Sequence, residues 1–128
     1  MQYEYFYGAQ AEQFSFYRIP KALFTVPNFR ELSTDAKVLY GILLDRMSLS
    51  LKNQWLDAQN KVYIIFTVDE IMDALNCANQ KATRLMVELE KQAGLIERKR
   101  QGLGRPNLIY VKNFAATING KSCEKADS

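Results

Sequence analysis

Apolar positions recur at two spacings along the chain, and the switches between them divide it into elements. Ala36, Leu39, Tyr40, Leu43 and Met47 follow one another at intervals of three and four, the repeat that lines one face of an α-helix. Ser33 can accept from a free amide of the first turn and Asp35 suits the positive helix end, so a helix is predicted over residues 33–47. The period then drops to two. Trp55-Leu56-Asp57 and Lys61-Val62-Tyr63-Ile64-Ile65-Phe66 read as strands around a Gln59-Asn60 turn, the second rich in β-branched and aromatic residues. Thr67-Val68-Asp69-Glu70 is a capping box and opens a second helix with Ile71, Met72 and Leu75 inward, which Asn76 breaks. A third helix over residues 77–93 turns Ala78, Ala82, Leu85, Met86, Leu89 and Ala93 inward and ends at Gly94, where a left-handed residue is wanted.

Residues 95–100 follow as a strand, 101–107 as a turn and 108–114 as the returning strand. Gly102 and Gly104 permit the reversal and Pro106 stiffens it. Two short helices with a break between them, followed directly by a hairpin, form a helix-turn-helix with a wing. The whole order predicts an α+β fold, a winged helix-turn-helix over residues 33–114, preceded by an N-terminal aromatic arm over residues 1–32 and followed by a polar linker over residues 115–128. Residues 1–32 hold nine of the fifteen aromatic residues, and Phe14-Ser15-Phe16-Tyr17-Arg18-Ile19 alternates like a strand, with Pro20 and Pro27 bracketing a short turn. Such a density of rings either caps the domain's own core or pairs with a second subunit. Tyr3, Tyr5, Phe6, Tyr7, Phe14, Phe16 and Tyr17 are the candidate interface of a homodimer.

At 128 residues, 48% hydrophobic and 24% charged, the chain is sized for one domain whose core needs no staple. It contains no histidine, which excludes Ser-His-Asp and Cys-His nucleophile systems and histidine zinc sites. The two cysteines, Cys77 and Cys123, are not a CxxC pair; a disulfide is possible on count alone, but a helical and a tail position favour free thiols in a reducing cytoplasm. Asp69, Glu70 and Asp73 lie in the first turns of a helix, where negative charge serves the cap and the dipole rather than a metal or acid–base chemistry. Gly102-Leu103-Gly104 opens onto a strand, so it is no nucleotide cradle. Neither catalysis nor a cofactor is expected. No membrane partner is expected either, because the longest apolar stretch, residues 62–68, is far short of the ~20 residues a span requires and the start lacks a basic, apolar leader.

Charge is unevenly placed. Residues 1–66 carry seven basic and six acidic groups, residues 67–93 three and five, and residues 94–128 seven and three, giving +1, −2 and +4. Arg98, Lys99, Arg100 and Arg105 fall within the wing, an electrostatic footprint for a polyanion, although a solvated loop also explains a lone basic triplet. Beside them, the start of the third helix shows Asn79, Gln80, Lys81, Thr83 and Arg84 on its outer face, with Asn76 in the preceding turn and Asn107 at the foot of the wing. Amides can bond adenine bidentately, cations reach guanine or phosphate, and a threonine methyl touches thymine. This turn is free of acids, whereas Glu88 and Glu90 further along would repel phosphate. The expected partner is double-stranded DNA.

Several stretches in order are familiar: Leu32-Ser33-Thr34-Asp35-Ala36-Lys37-Val38-Leu39-Tyr40, Asp45-Arg46-Met47-Ser48-Leu49-Ser50, Val62-Tyr63-Ile64-Ile65-Phe66-Thr67 and Gly102-Leu103-Gly104-Arg105-Pro106-Asn107. Together they resemble the N-terminal domain of RepA_N-type plasmid replication initiators of Gram-positive bacteria. The resemblance implies a dimeric winged-helix domain that binds origin repeats lying within the initiator gene. It also implies a separate C-terminal domain, similar to the primosome protein DnaD, that engages host replication factors and is missing from this chain. By motif position the DNA contacts fall on residues 79–84 and around Arg105. Two other readings of the same fold are a transcriptional repressor and a primosomal protein-interaction module.

Overall fold

The computed structural model describes residues 2–8 and 13–115. The linker expected beyond residue 115, with Cys123, lies outside them. Pro20 and Pro27 do bracket short turns: α1 (Ala22–Thr25) and a 3-10 turn (Pro27–Phe29), which tolerates the missing amide of Pro27 at its first position. These bury Leu23 and Phe29 and lead into α2 (Thr34–Lys52). Ser33 Oγ accepts from the Ala36 amide at 3.1 Å, and Ala36, Leu39, Tyr40 and Leu43 are buried. The helix runs past its predicted end at residue 47, because serines at 48 and 50 are weak helix formers rather than breakers. Tyr40 donates to the Lys112 carbonyl at 2.8 Å, and its burial pushes the phenol up to about 12.

The two strands expected over residues 55–57 and 61–66 shrink to single bridges, Leu56 with Val62 and Ile64 with Ile109. Asp57 is the reason. Its carboxylate takes the Gln59 amide at 2.8 Å and the Lys61 amide at 2.9 Å, and Asn60 turns at φ 69°, so the loop consumes donors that a ladder would use. Ile64 and Ile109 still exchange both backbone bonds, each at 2.9 Å, which seats this segment beside the wing hairpin.

Both halves of the capping box form at α3 (Val68–Leu75): the Thr67 amide donates to Glu70 Oε1 at 2.9 Å and the Glu70 amide to Thr67 Oγ1 at 3.2 Å. Asn76 then adopts the left-handed conformation, φ 52° and ψ 50°. α4 (Asn79–Val87) begins two residues later than expected, since Cys77 and Ala78 are needed to carry the chain between helices; Ala78 is therefore an exposed cap and not a core residue. Cys77 is a free, half-buried thiol. The predicted helix end is a π-helical turn (Glu88–Gln92), closed by Gly94 at φ 67°.

Strands β1 (Ile96–Lys99) and β2 (Leu108–Val111) pair antiparallel, from Ile96 opposite Val111 to Lys99 opposite Leu108. β2 stops before residue 114 because Phe114 leaves the ladder to pack edge-on against Phe29 and Tyr40, with ring centroids 5.0 and 5.8 Å away. Leu39, Leu43, Ile71, Leu85, Leu89, Ile96 and Ile109 form the core where α2, α3, α4 and the hairpin meet. Among the described residues no helix is long and apolar enough to cross a membrane.

The alternating segment from Phe14 to Ile19 is not a strand, because among the described residues no neighbouring strand takes its backbone bonds. Of the arm's rings, Phe29 packs into the core, whereas the seven candidate interface rings do not. Tyr3, Tyr5, Phe6, Tyr7, Phe14, Phe16 and Tyr17 are all exposed, Tyr3 and Tyr5 by 82%, while Phe14 meets Phe6 and Phe16 edge to face with ring centroids 5.9 and 6.2 Å away. The arm is anchored at Gly41 of α2, where a Cβ would stand 2.9 Å from the Arg18 carbonyl oxygen and from Ile19 Cγ1.

Candidate nucleic-acid interface

Burial of Ala82, Leu85, Met86 and Leu89 fixes the rotation of α4 and thereby presents Asn79, Gln80, Thr83 and Arg84 to solvent. Thr83 Oγ1 lies 3.5 Å from Asn79 Oδ1, one helical turn away. Lys81, on the flank of this face, is half-buried, and its ammonium lies 2.7 Å from Asp35 Oδ2 in the first turn of α2. Asn76 stays exposed in the left-handed turn ahead of α4.

The wing presents a second set. Lys99, Arg100, Arg105 and Asn107 are exposed. Its tip is shaped by Gly102 at φ 120° and Gly104 at φ 76°, and is braced by Gln101 Nε2 donating to the Pro106 carbonyl at 2.8 Å. A crevice of about 280 Å³ separates the wing from α3, with Thr67 and Ile71 on one side and Arg105, Pro106 and Asn107 on the other. The helix-turn-helix and the wing thus flank one crevice. Arg98 also lines this crevice, but its guanidinium, unlike the exposed wing cations, pairs with Glu90.

Four acids acquire roles that periodicity does not reveal. The Ser33 amide and Ser33 Oγ both donate to the Glu88 carboxylate, which ties the π-helical turn to the start of α2. Glu90 accepts from Arg98, and this hydrogen bonding holds its carboxyl below the usual range against the opposing effect of burial. Glu70 is held low first by the Thr67 amide and further by Arg46. Asp57 is lowered chiefly by the Lys61 amide and also accepts from Tyr110 Oη at 3.0 Å. Glu88 and Glu90 are therefore bound within the domain rather than standing as free charges, and Asp35, read from sequence as a dipole residue, also pairs with Lys81. A serine at a helix start was legible as a cap; its bond to a residue 55 positions away was not.

Known proteins share this architecture. The family described as Replication initiator protein A (RepA) N-terminus, RepA_N, matches residues 15–125. A curated relative, a 41 kDa protein of Lactobacillus helveticus, is 33% identical over 103 residues, covering 80% of this chain and 28% of that protein. The chain thus spans under a third of that relative's length. Of solved structures, one described as the N-terminal domain of a DNA binding protein has a TM-score of 0.72 at 35% identity, over 99% of this chain and 98% of its own. A Rep–DNA complex gives a TM-score of 0.71 at 38% identity over 86% and 84% of the two chains, and an MDR initiator 0.70 at 39% over 98% and 99%. With its winged helix, the chain belongs to the RepA_N family of replication initiator N-termini.

Proposed function

We propose that this chain binds double-stranded DNA at the repeats of a plasmid origin, reading bases with the first half of α4 and holding the backbone with the wing. The observation that carries this reading is the exposed, acid-free face of Asn79, Gln80, Thr83 and Arg84 at the start of α4, together with the exposed wing cations Lys99, Arg100 and Arg105. The similar solved structure described as a Rep–DNA complex supports it. Asn79 and Gln80 suit adenine, Arg84 suits guanine or phosphate, and Thr83 suits a thymine methyl. Lys81 exchanges its exposed pairing with Asp35 for a phosphate, a small loss since surface pairs contribute little. Arg105 and Asn107 serve the sugar-phosphate chain, and Asn76 the backbone beside the turn.

The protein acts in the cytoplasm as a homodimer through the aromatic arm, whose seven exposed rings are the kind of apolar surface that marks an interface. It catalyses nothing itself. Engagement of host replication proteins is not assigned to this winged-helix domain.

The test is a titration with labelled duplexes tiled across the gene that encodes the chain, against shuffled duplexes of equal composition, over a series of salt concentrations. One tile is expected to bind more tightly than its shuffled form, and Arg105→Ala is expected to lower the salt slope by roughly one. Equal affinity for every tile and its shuffled form would refute sequence-specific reading.

A further inference from the structure

Along β1 the side chains alternate, so Ile96 and Arg98 share one face and Glu97 and Lys99 the other. Ile96 is buried, and Arg98 faces buried Ile109 across the ladder, which places its guanidinium on the inner side of the hairpin. There it meets Glu90 from the π-helical turn that continues α4. Glu90 Oε1 accepts from Arg98 Nε at 3.1 Å and from Nη2 at 2.7 Å, and Oε2 accepts from the Arg98 backbone amide at 3.3 Å. The Arg98 side chain is 25% exposed and that of Glu90 17%, so most of this pair is withdrawn from water. A planar guanidinium bound through two nitrogens fixes orientation as well as distance.

The π-helical turn anchors in two directions. Glu88 and Glu90 flank buried Leu89, the first reaching Ser33 at the start of α2 and the second reaching the base of the wing. A two-stranded hairpin has little stability of its own and takes its direction from what its base is fixed to. Lys99 and Arg100 follow Arg98 directly, so whatever orients Arg98 aims them.

We propose that Glu90 and Arg98 form a clamp that sets the angle of the wing against α4, making Arg98 a positioning residue for duplex binding rather than a phosphate contact. This rests on the DNA reading above. The experiment repeats the salt series on the 128-residue chain with Arg98→Ala, Glu90→Ala and the double variant. Each is expected to weaken binding to the preferred tile by about the same factor, roughly tenfold, with no further loss in the double variant, as two residues acting as one unit require. The salt slope is expected to stay at the wild-type value, because no phosphate contact is removed. Tighter binding by Glu90→Ala, or a slope smaller by about one in Arg98→Ala, would overturn the clamp and make Arg98 a phosphate ligand. Should Glu90→Ala not fold, Glu90→Gln, which keeps an oxygen acceptor, carries the test: weaker binding at an unchanged slope supports the clamp, and tighter binding overturns it. A wild-type chain that binds no duplex defeats the DNA reading instead. Hydrogen exchange at the Arg98 amide then decides the clamp itself, faster exchange in Glu90→Gln supporting it and wild-type exchange overturning it.

Discussion

Glu70 and Glu90 bind the chain to itself as carboxylates, and that makes folding sensitive to acid. Both are held below the ordinary value of 4.5, Glu70 first by the Thr67 amide and Glu90 first by the Arg98 side chain. A group depressed in the folded state adds stability that is complete above its unfolded value and is lost as pH falls through its folded one. The chain is therefore expected to lose thermal stability progressively below about pH 4.5. Glu90→Gln is expected to melt lower than wild type at pH 7 and to decline less steeply on the acid side. Melting curves by circular dichroism from pH 7 to pH 3 check both; parallel curves would show that Glu90 contributes no linkage. At this scale the sequence is informative about nearest neighbours only. Thr67 and Glu70 could be matched because a capping box is three residues long, whereas Arg98 was grouped with Lys99, Arg100 and Arg105 as a wing cation. Glu90 could not be matched to Arg98, because that pairing depends on a π-helical turn that a regular helical repeat does not foretell.

Helices were the legible elements. α2, α3 and α4 combine a 3.6-residue apolar stripe with a cap or a break, and those signals are local. The strands were less so, since their extent depends on partners. Residues 61–66 have strand composition throughout, yet only Val62 and Ile64 find bridges, because Asp57 gathers the turn amides and Phe114 draws the end of the hairpin toward Phe29 and Tyr40. The arm follows the same rule: alternation without a neighbour leaves an extended segment. Gly41 decides where that segment crosses α2, and nothing local to residue 41 announces it, since the contact is with Arg18 and Ile19. Gly41→Ala is expected to push the arm off α2 and to destabilise the fold by about 1–3 kcal/mol, the usual range for overpacking. Because the proposed dimer is built on the arm, the variant is also expected to sediment as a monomer at concentrations where wild type is dimeric. A wild-type chain that is already monomeric, or a variant that dimerises equally well, would separate the arm from assembly.

For the whole molecule, a net charge of +3 says little until it is placed. The structure sets the bare cations on the wing and the neutral amides on α4, and it pairs Glu88, Glu90 and Asp35 with groups inside the domain. The acid-free start of α4 was legible as a run of residue types. The crevice between wing and α3 was not, because its two sides, Thr67 and Ile71 against Arg105 and Asn107, come from segments far apart in sequence. The central claim is that DNA meets this one surface. Its most direct test is the map of backbone amide shifts when the preferred duplex is added to isotopically labelled protein. The largest shifts are expected at residues 79–84 and 99–107. Shifts confined instead to the groove formed by Tyr40, Leu44, Val111 and Phe114, with residues 79–84 unmoved, would contradict it.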